Sequence, residues 1–245
     1  MIQSWSHSKL GDFEKCKFMT WLKHDQKIPE PTRPLPAGKT EHANDRGSRI
    51  HDNCEMYVSG QADSLDPDAE KFFGPQLDLL RVLHAEGLVS LEGEWGMNED
   101  WEVADWNEAW LRLKLDACVF IDPTHAIVID YKTGRKYGNE LKHAEQLQLY
   151  QLVAFLRYPQ LEKITAELWY LDQPDGENIT SQTFTRKQGL LFKQNFHRRG
   201  MALTTNTEWP ANPNVHTCKW CQYGPWNGGQ CQVGVQATKK PFFRR

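Results

Sequence analysis

The chain has 245 residues, 39% of them hydrophobic and 25% charged, and a net charge of −3. That composition excludes a disordered or membrane-embedded protein, and no apolar run approaches a spanning helix. The slight acidic excess argues against a protein that is basic all over, yet leaves room for a local basic patch. The N-terminus MIQSWSHSKLGDFEKCK lacks an apolar signal segment, which predicts a cytoplasmic location. In a reducing compartment, clustered cysteines among the six are metal ligands more readily than disulfides.

Ser6 or Ser8 caps a predicted first helix, over about residues 1–28, with Leu10, Phe13, Cys16 and Trp21 inward and Lys9, Glu14 and Lys17 outward. Pro29, Pro31, Pro34, Pro36 and Gly38 make an extended connector. A second helix runs from Asn44 or Asp45 to Gly60, its apolar stripe of Ile50, Cys54, Tyr57 and Val58 flanked by His51 and Glu55. Asp66-Pro67 opens a third helical region that bends at Pro75 and ends at Gly87. From Val89 the period changes to two, with Leu91, Gly93, Trp95 and Met97 on one face, and an acidic, tryptophan-containing loop spans Asn98 to Trp110.

The stretch Leu111 to Lys136 predicts a hairpin. Leu111, Leu113, Leu115, Ala117, Val119 and Ile121 alternate with Arg112, Lys114 and Asp116; Ile127, Ile129 and Tyr131 alternate with Asp130 and Lys132. If both apolar sets share one face, the two acids and the lysine share the other. That requires a bulge or an odd-length loop at Asp122-Pro123-Thr124-His125. Beyond Thr133-Gly134, Asn139 to Arg157 predicts a long helix burying Leu149, Leu152, Val153 and Leu156, with Lys142, Gln146 and Tyr150 along another stripe. Ile164 to Tyr170 and Ile179 to Thr185 predict two more strands about an Asp175-Gly176 turn, and a last helix covers about Lys187 to Leu203. The fold class is α/β or α+β: a mixed sheet of about four or five strands flanked by helices, in one domain over 1–245 with a cysteine-bearing segment at about 205–245.

Two buried carboxylates beside one ammonium predict a divalent-metal site, because burying acids costs energy unless a cation compensates them. Asp116 and Asp130 supply oxygens, the Tyr131 carbonyl a third, and His51 a nitrogen that suits manganese better than magnesium. Lys132, two residues from Asp130 on the same face, can orient a water and offset phosphate charge. Taken one at a time these residues have plainer readings: a surface ion pair for Asp130 and Lys132, and a hydrogen bond to Glu55 for His51.

The ordered set resembles the RecB-like branch of the PD-(D/E)XK nucleases. The matching elements are Gly47-x-x-x-His51, Asp116, Asp130-Tyr131-Lys132-Thr133-Gly134 and Gln146-x-x-x-Tyr150; Leu113 departs from the glycine usual before the acid. The resemblance implies a restriction-endonuclease-like core and a Mg2+- or Mn2+-dependent exonuclease hydrolysing phosphodiester bonds at DNA ends or in single strands. A structure-selective endonuclease and a silent DNA-binding or assembly module are the alternatives. Gln146, Tyr150, Lys142 and Arg135 would then meet DNA. Cys16, in Ser6-x-Ser8-x-Leu10-x-x-Phe13-x-x-Cys16, with Cys218-x-x-Cys221 and Cys231, is similar to iron–sulfur members of the branch, implying a [4Fe–4S] cluster with zinc as the alternative. The cluster would join the two ends of the chain. Cys54 and Cys118 read as small buried residues.

Overall fold

The computed structural model describes residues 1–134, 136–174 and 176–236, with the side chain of Glu92 left out. Two compact units emerge: one of Met1–Pro34 with the chain from Arg199 onward, the other of Leu35–Arg198.

In the terminal unit, helix α1 (His7–Lys15) is capped by the Ser6 hydroxyl, which accepts from the Lys9 N–H. The single first helix expected here is interrupted. Cys16 is extended (φ −161°), and the chain resumes as α2 (Lys17–Thr20) and a π-turn over Trp21–Asp25. The break shifts the helical phase, so Leu22 rather than Trp21 is fully buried. Leu22 packs with Tyr223 and Cys231, and Phe18, Met19 and Ile28 close around them. The Tyr223 hydroxyl donates to the Ile28 carbonyl at 2.8 Å, and Arg199 forks onto Glu14 at 2.6 and 2.7 Å.

In the sheet unit, α3 (Ala43–Val58) is followed by α4 (Pro67–Ala85). Asp66 caps α4 by accepting from Asp68 N–H at 2.9 Å, and Gly87, at φ +76°, ends that helical region in a backbone conformation glycine adopts cheaply. The strands are β1 (Val89–Met97), β2 (Val103–Ala104), β3 (Leu111–Asp122), β4 (His125–Lys132), β5 (Lys163–Tyr170) and β6 (Ile179–Thr185), with α5 (Glu140–Arg157) crossing between β4 and β5. Among the described residues they form one six-stranded sheet in the order β2-β1-β3-β4-β5-β6. Only the pair β4–β5 in that order is parallel, as a helical crossover demands. The sixth strand is β2, two residues inside the acidic loop and too short to leave a period in sequence. The last predicted helix is split into α6 (Arg186–Leu190) and α7 (Lys193–Thr204), with α8 (Val215–Cys218) beyond.

Ile50, Cys54 and Val58 of α3 and Phe73, Leu77 and Leu80 of α4 pack with Ala117, Val119, Ile129, Tyr131 and Trp169. Full burial of a side chain such as Phe73 or Leu77 contributes about 1.5–3 kcal/mol. Polar side chains of α5 reach the alternate residues of β4. The central strand β4 is therefore buried with little alternation, and its one acid, Asp130, is covered by α5 rather than turned to water. Among the described residues no helix is long and apolar enough to cross a membrane.

Candidate active site

The β3–β4 ladder pairs Ala117 with Ile129 and Phe120 with Ala126, then shifts so that Asp122 meets His125. Asp122 Oδ1 holds the tight turn by accepting the Thr124 N–H at 2.7 Å and its hydroxyl at 2.8 Å. Had the pairing at the turn continued unbroken, Asp116 would face Tyr131. The extra residue at Ile121 moves the register by one, and continuing it past Ala117 sets Asp116 opposite Asp130.

Each acid is met by donors. His51 Nδ1 donates to Asp116 Oδ1 at 2.8 Å and the Tyr131 N–H to Asp116 Oδ2 at 2.5 Å. Burial pushes the Asp116 carboxyl above its ordinary value and the charge of Asp130 adds to this, against the pull of His51 and the Tyr131 N–H. Burial alone would lower the His51 pKa, but its hydrogen bond to Asp116 and the charges of both acids outweigh that and raise it. Asp130 Oδ1 accepts from Gln146 Nε2 at 3.0 Å and from the Tyr150 hydroxyl at 2.9 Å. Burial, then the charge of Asp130, pushes the Tyr150 phenol far above its ordinary range, so it stays a donor. The Lys132 ammonium forms an ion pair with the other Asp130 oxygen, Oδ2, which is buried.

Gln146 and Tyr150, which the sequence suggested would reach DNA, are thus buried and turn their polar ends on Asp130. Lys142 is exposed near the start of α5, and Arg135 lies outside the described residues. His51 bonds across to the sheet, not to Glu55 along its own helix.

One contributor passed unnoticed in the sequence. Arg46, one residue before Gly47, forks onto Asp172 at 2.7 and 3.0 Å, meets Asp68 at 3.1 Å and donates to the Thr133 carbonyl at 3.4 Å. A Cβ at Gly47 would stand 3.0 Å from Thr133 Oγ1. The glycine and the arginine together seat α3 against the end of β4, and this places His51. Arg46's neighbour in the glycine motif was the only available signal, since its acidic partners are remote in sequence.

Among the described residues no three His, Cys, Asp or Glu side chains form a ready-made metal-holding group. The donor chemistry nonetheless fits a small divalent cation. Two mutually repelling carboxylates are buried together, and an imidazole adjoins them. In this structure His51 and Lys132 supply the compensating positive or donor groups.

In the terminal unit Cys16, Cys218, Cys221 and Cys231 line one cavity with Phe18, Met19, Leu22 and Tyr223. Burial raises the Cys221 thiol pKa, and the other three sulfurs add to the effect. Cys54 and Cys118 lie apart in the sheet unit, where burial pushes each thiol up to about 12.

A family profile described as the PD-(D/E)XK nuclease superfamily matches residues 4–226. The chain belongs to that superfamily. Among solved structures, SSO0001 is similar at 16% identity over 96% of this chain and 88% of that one, with a TM-score of 0.45. An alkaline exonuclease from Laribacter hongkongensis is similar at 10% identity over 83% and 87%, with a TM-score of 0.36. No curated protein matches the sequence.

Proposed function

We propose that this PD-(D/E)XK nuclease is a metal-dependent deoxyribonuclease that works as an exonuclease on DNA ends or single strands. The observation that carries the reading is the register: the shift at Ile121 sets Asp116 against Asp130, with the Lys132 ammonium on the Asp130 carboxylate. Asp116, Asp130, His51 and the Tyr131 carbonyl are the groups that would hold Mg2+ or Mn2+, which when bound makes water a better nucleophile and offsets phosphate charge. Lys132 is positioned to pass from Asp130 to a phosphate oxygen or an attacking water, where its charge opposes the negative charge that develops. His51 and Arg46 orient Asp116 and the end of β4, and Gln146 and Tyr150 fix the rotamer of Asp130. Lys142 and Arg135 supply positive charge for the DNA backbone.

We further infer that Cys16, Cys218, Cys221 and Cys231 hold a [4Fe–4S] cluster, or zinc in its place, since four soft donors share one cavity. The test of the activity is end-labelled DNA, single- and double-stranded, linear and circular, with Mg2+, Mn2+ or a chelator. Linear DNA is expected to shorten from its ends, circles to resist, and the chelator to stop the reaction. Cleavage of closed circles would turn the reading to an endonuclease, and binding without cleavage to a silent module.

A further inference from the structure

In the parallel β4–β5 pair, Lys132 stands beside Tyr170. Residues paired this way point to the same face, so Tyr170 is the lateral neighbour of the site's lysine. The Tyr170 hydroxyl lies 2.7 Å from His143 Nδ1, their rings are 5.6 Å apart, and the Lys136 ammonium rests 5.3 Å from the centre of the Tyr170 ring. His143 is three residues before Gln146 on α5, on the stripe that continues to Tyr150. A half-buried imidazole therefore sits between the clamp on Asp130 and the neighbour of Lys132.

The protons on this chain of groups can be counted. The single phenol proton of Tyr170, at 2.7 Å from His143 Nδ1, has that nitrogen as its acceptor when the imidazole is neutral and carries its own proton on Nε2. Burial favours the neutral form, and the nearby ammonium groups of Lys132 and Lys142 favour it further, against Asp130 and Glu140. In that tautomer His143 is held through Nδ1 by Tyr170, the strand neighbour of Lys132, and Nε2–H is left as its donor.

We propose that His143 is a further substrate-contacting residue: its imidazole, held by Tyr170, donates Nε2–H to a nonbridging oxygen of a nucleic-acid phosphate at or next to the scissile group. The proposal rests on the nuclease reading. It involves no proton transfer, only a neutral hydrogen bond to an anion whose charge grows during the reaction. Arg, Lys and metal ions are the usual partners of such oxygens; a neutral donor binds without adding charge next to Lys132, whose ammonium must remain attracted to Asp130 and the phosphate.

The experiment compares cleavage of a labelled oligonucleotide by the wild type, His143→Ala, His143→Gln and Tyr170→Phe, with melting temperatures for each. Loss of one hydrogen bond to a charged group predicts that His143→Ala lowers kcat/KM by about tenfold to a hundredfold. His143→Gln, whose amide nitrogen reaches roughly where Nε2 stood, should recover most of that, and Tyr170→Phe should lose less than His143→Ala. An unchanged rate in His143→Ala, beside an active wild type, overturns the proposal and leaves the nuclease reading standing. So does an equal loss in the alanine and glutamine variants that tracks a lowered melting temperature. If the wild type cleaves nothing, the nuclease reading itself fails, and imidazole 15N spectra decide about His143 alone. An Nε2–H tautomer whose signal moves on adding a short oligonucleotide with Ca2+ supports the contact; an Nδ1–H tautomer or an unmoved signal overturns it.

Discussion

The carboxylates of the sheet unit and the thiols of the terminal unit are each gathered and at least partly buried, but they are surrounded by different chemistry. Asp116 and Asp130 lie among donors from α3, β4 and α5: His51, the Tyr131 N–H, Lys132, Gln146 and Tyr150. The four cysteines lie among Phe18, Met19, Leu22 and Tyr223, with Cys16 accepting the Asn212 N–H at 3.4 Å. A carboxylate cannot be buried cheaply without donors, so the fold has to build them in. A thiol behaves as a small hydrophobe and tolerates an apolar wall until a soft cation deprotonates it. The acid site is thus arranged by the polypeptide itself, whereas under the proposed cluster or zinc the stability of the cysteine cavity would depend on what the thiols bind.

The largest expected effect is on the acid side. Asp116→Ala, Asp130→Ala and Lys132→Ala should each lower kcat by roughly a thousandfold or more, with far-ultraviolet circular dichroism unchanged. Cleavage at the wild-type rate by Asp130→Ala would remove the basis for treating the two clusters differently.

On the cysteine side the change should appear in stability before it appears in rate. Cys16→Ala and Cys221→Ala should release bound iron or zinc and lower the melting temperature by about 10 °C, the scale of a loss of several kcal/mol in a chain of this size. Cys118→Ala, in the sheet, should cost only about 2–4 °C. Calorimetry paired with metal analysis reads both, and equal effects at Cys16 and Cys118 would count against the shared site.

Tyr150→Phe sharpens the account of how Asp130 is held. Losing one hydrogen bond to a carboxylate costs about 1.5–3 kcal/mol, which predicts a kcat roughly ten- to a hundredfold lower with DNA affinity nearly unchanged. A weakened affinity with an intact kcat would instead restore a direct DNA contact for this tyrosine.

The smallest effect concerns Asp12 of the terminal unit. Burial alone would raise its carboxyl pKa, but the hydrogen bond to His24 and the charges of Lys23, His24 and Lys15 outweigh that and hold it below the ordinary value. A pKa lower in the folded than in the unfolded chain stabilises above the unfolded value, and that stabilisation is lost as pH falls through the folded one. Melting temperatures taken down through the acid range should therefore fall less steeply for Asp12→Asn than for the wild type.

What the sequence determined by itself was local: the alternation of Leu111 to Ile121 and of Ile127 to Tyr131, the D-x-K spacing, and the long amphipathic helix after Gly134. From parity alone it also required that the hairpin carry a bulge or odd loop if Asp116 and Asp130 were to share a face. The placement of that shift at Ile121, the break at Cys16 and the two-residue strand β2 came from the folded chain. Tertiary structure likewise decided that Gln146 and Tyr150 face Asp130 rather than solvent, that Arg46 finds Asp68 and Asp172, and that Tyr170 holds His143. Periodicity reports which residues of one element share a face, because it follows from backbone geometry within a few residues. Which groups from α3, β5 and α5 meet on that face depends on strand register and helix packing, and those are settled only when segments far apart in the chain bury their surfaces together.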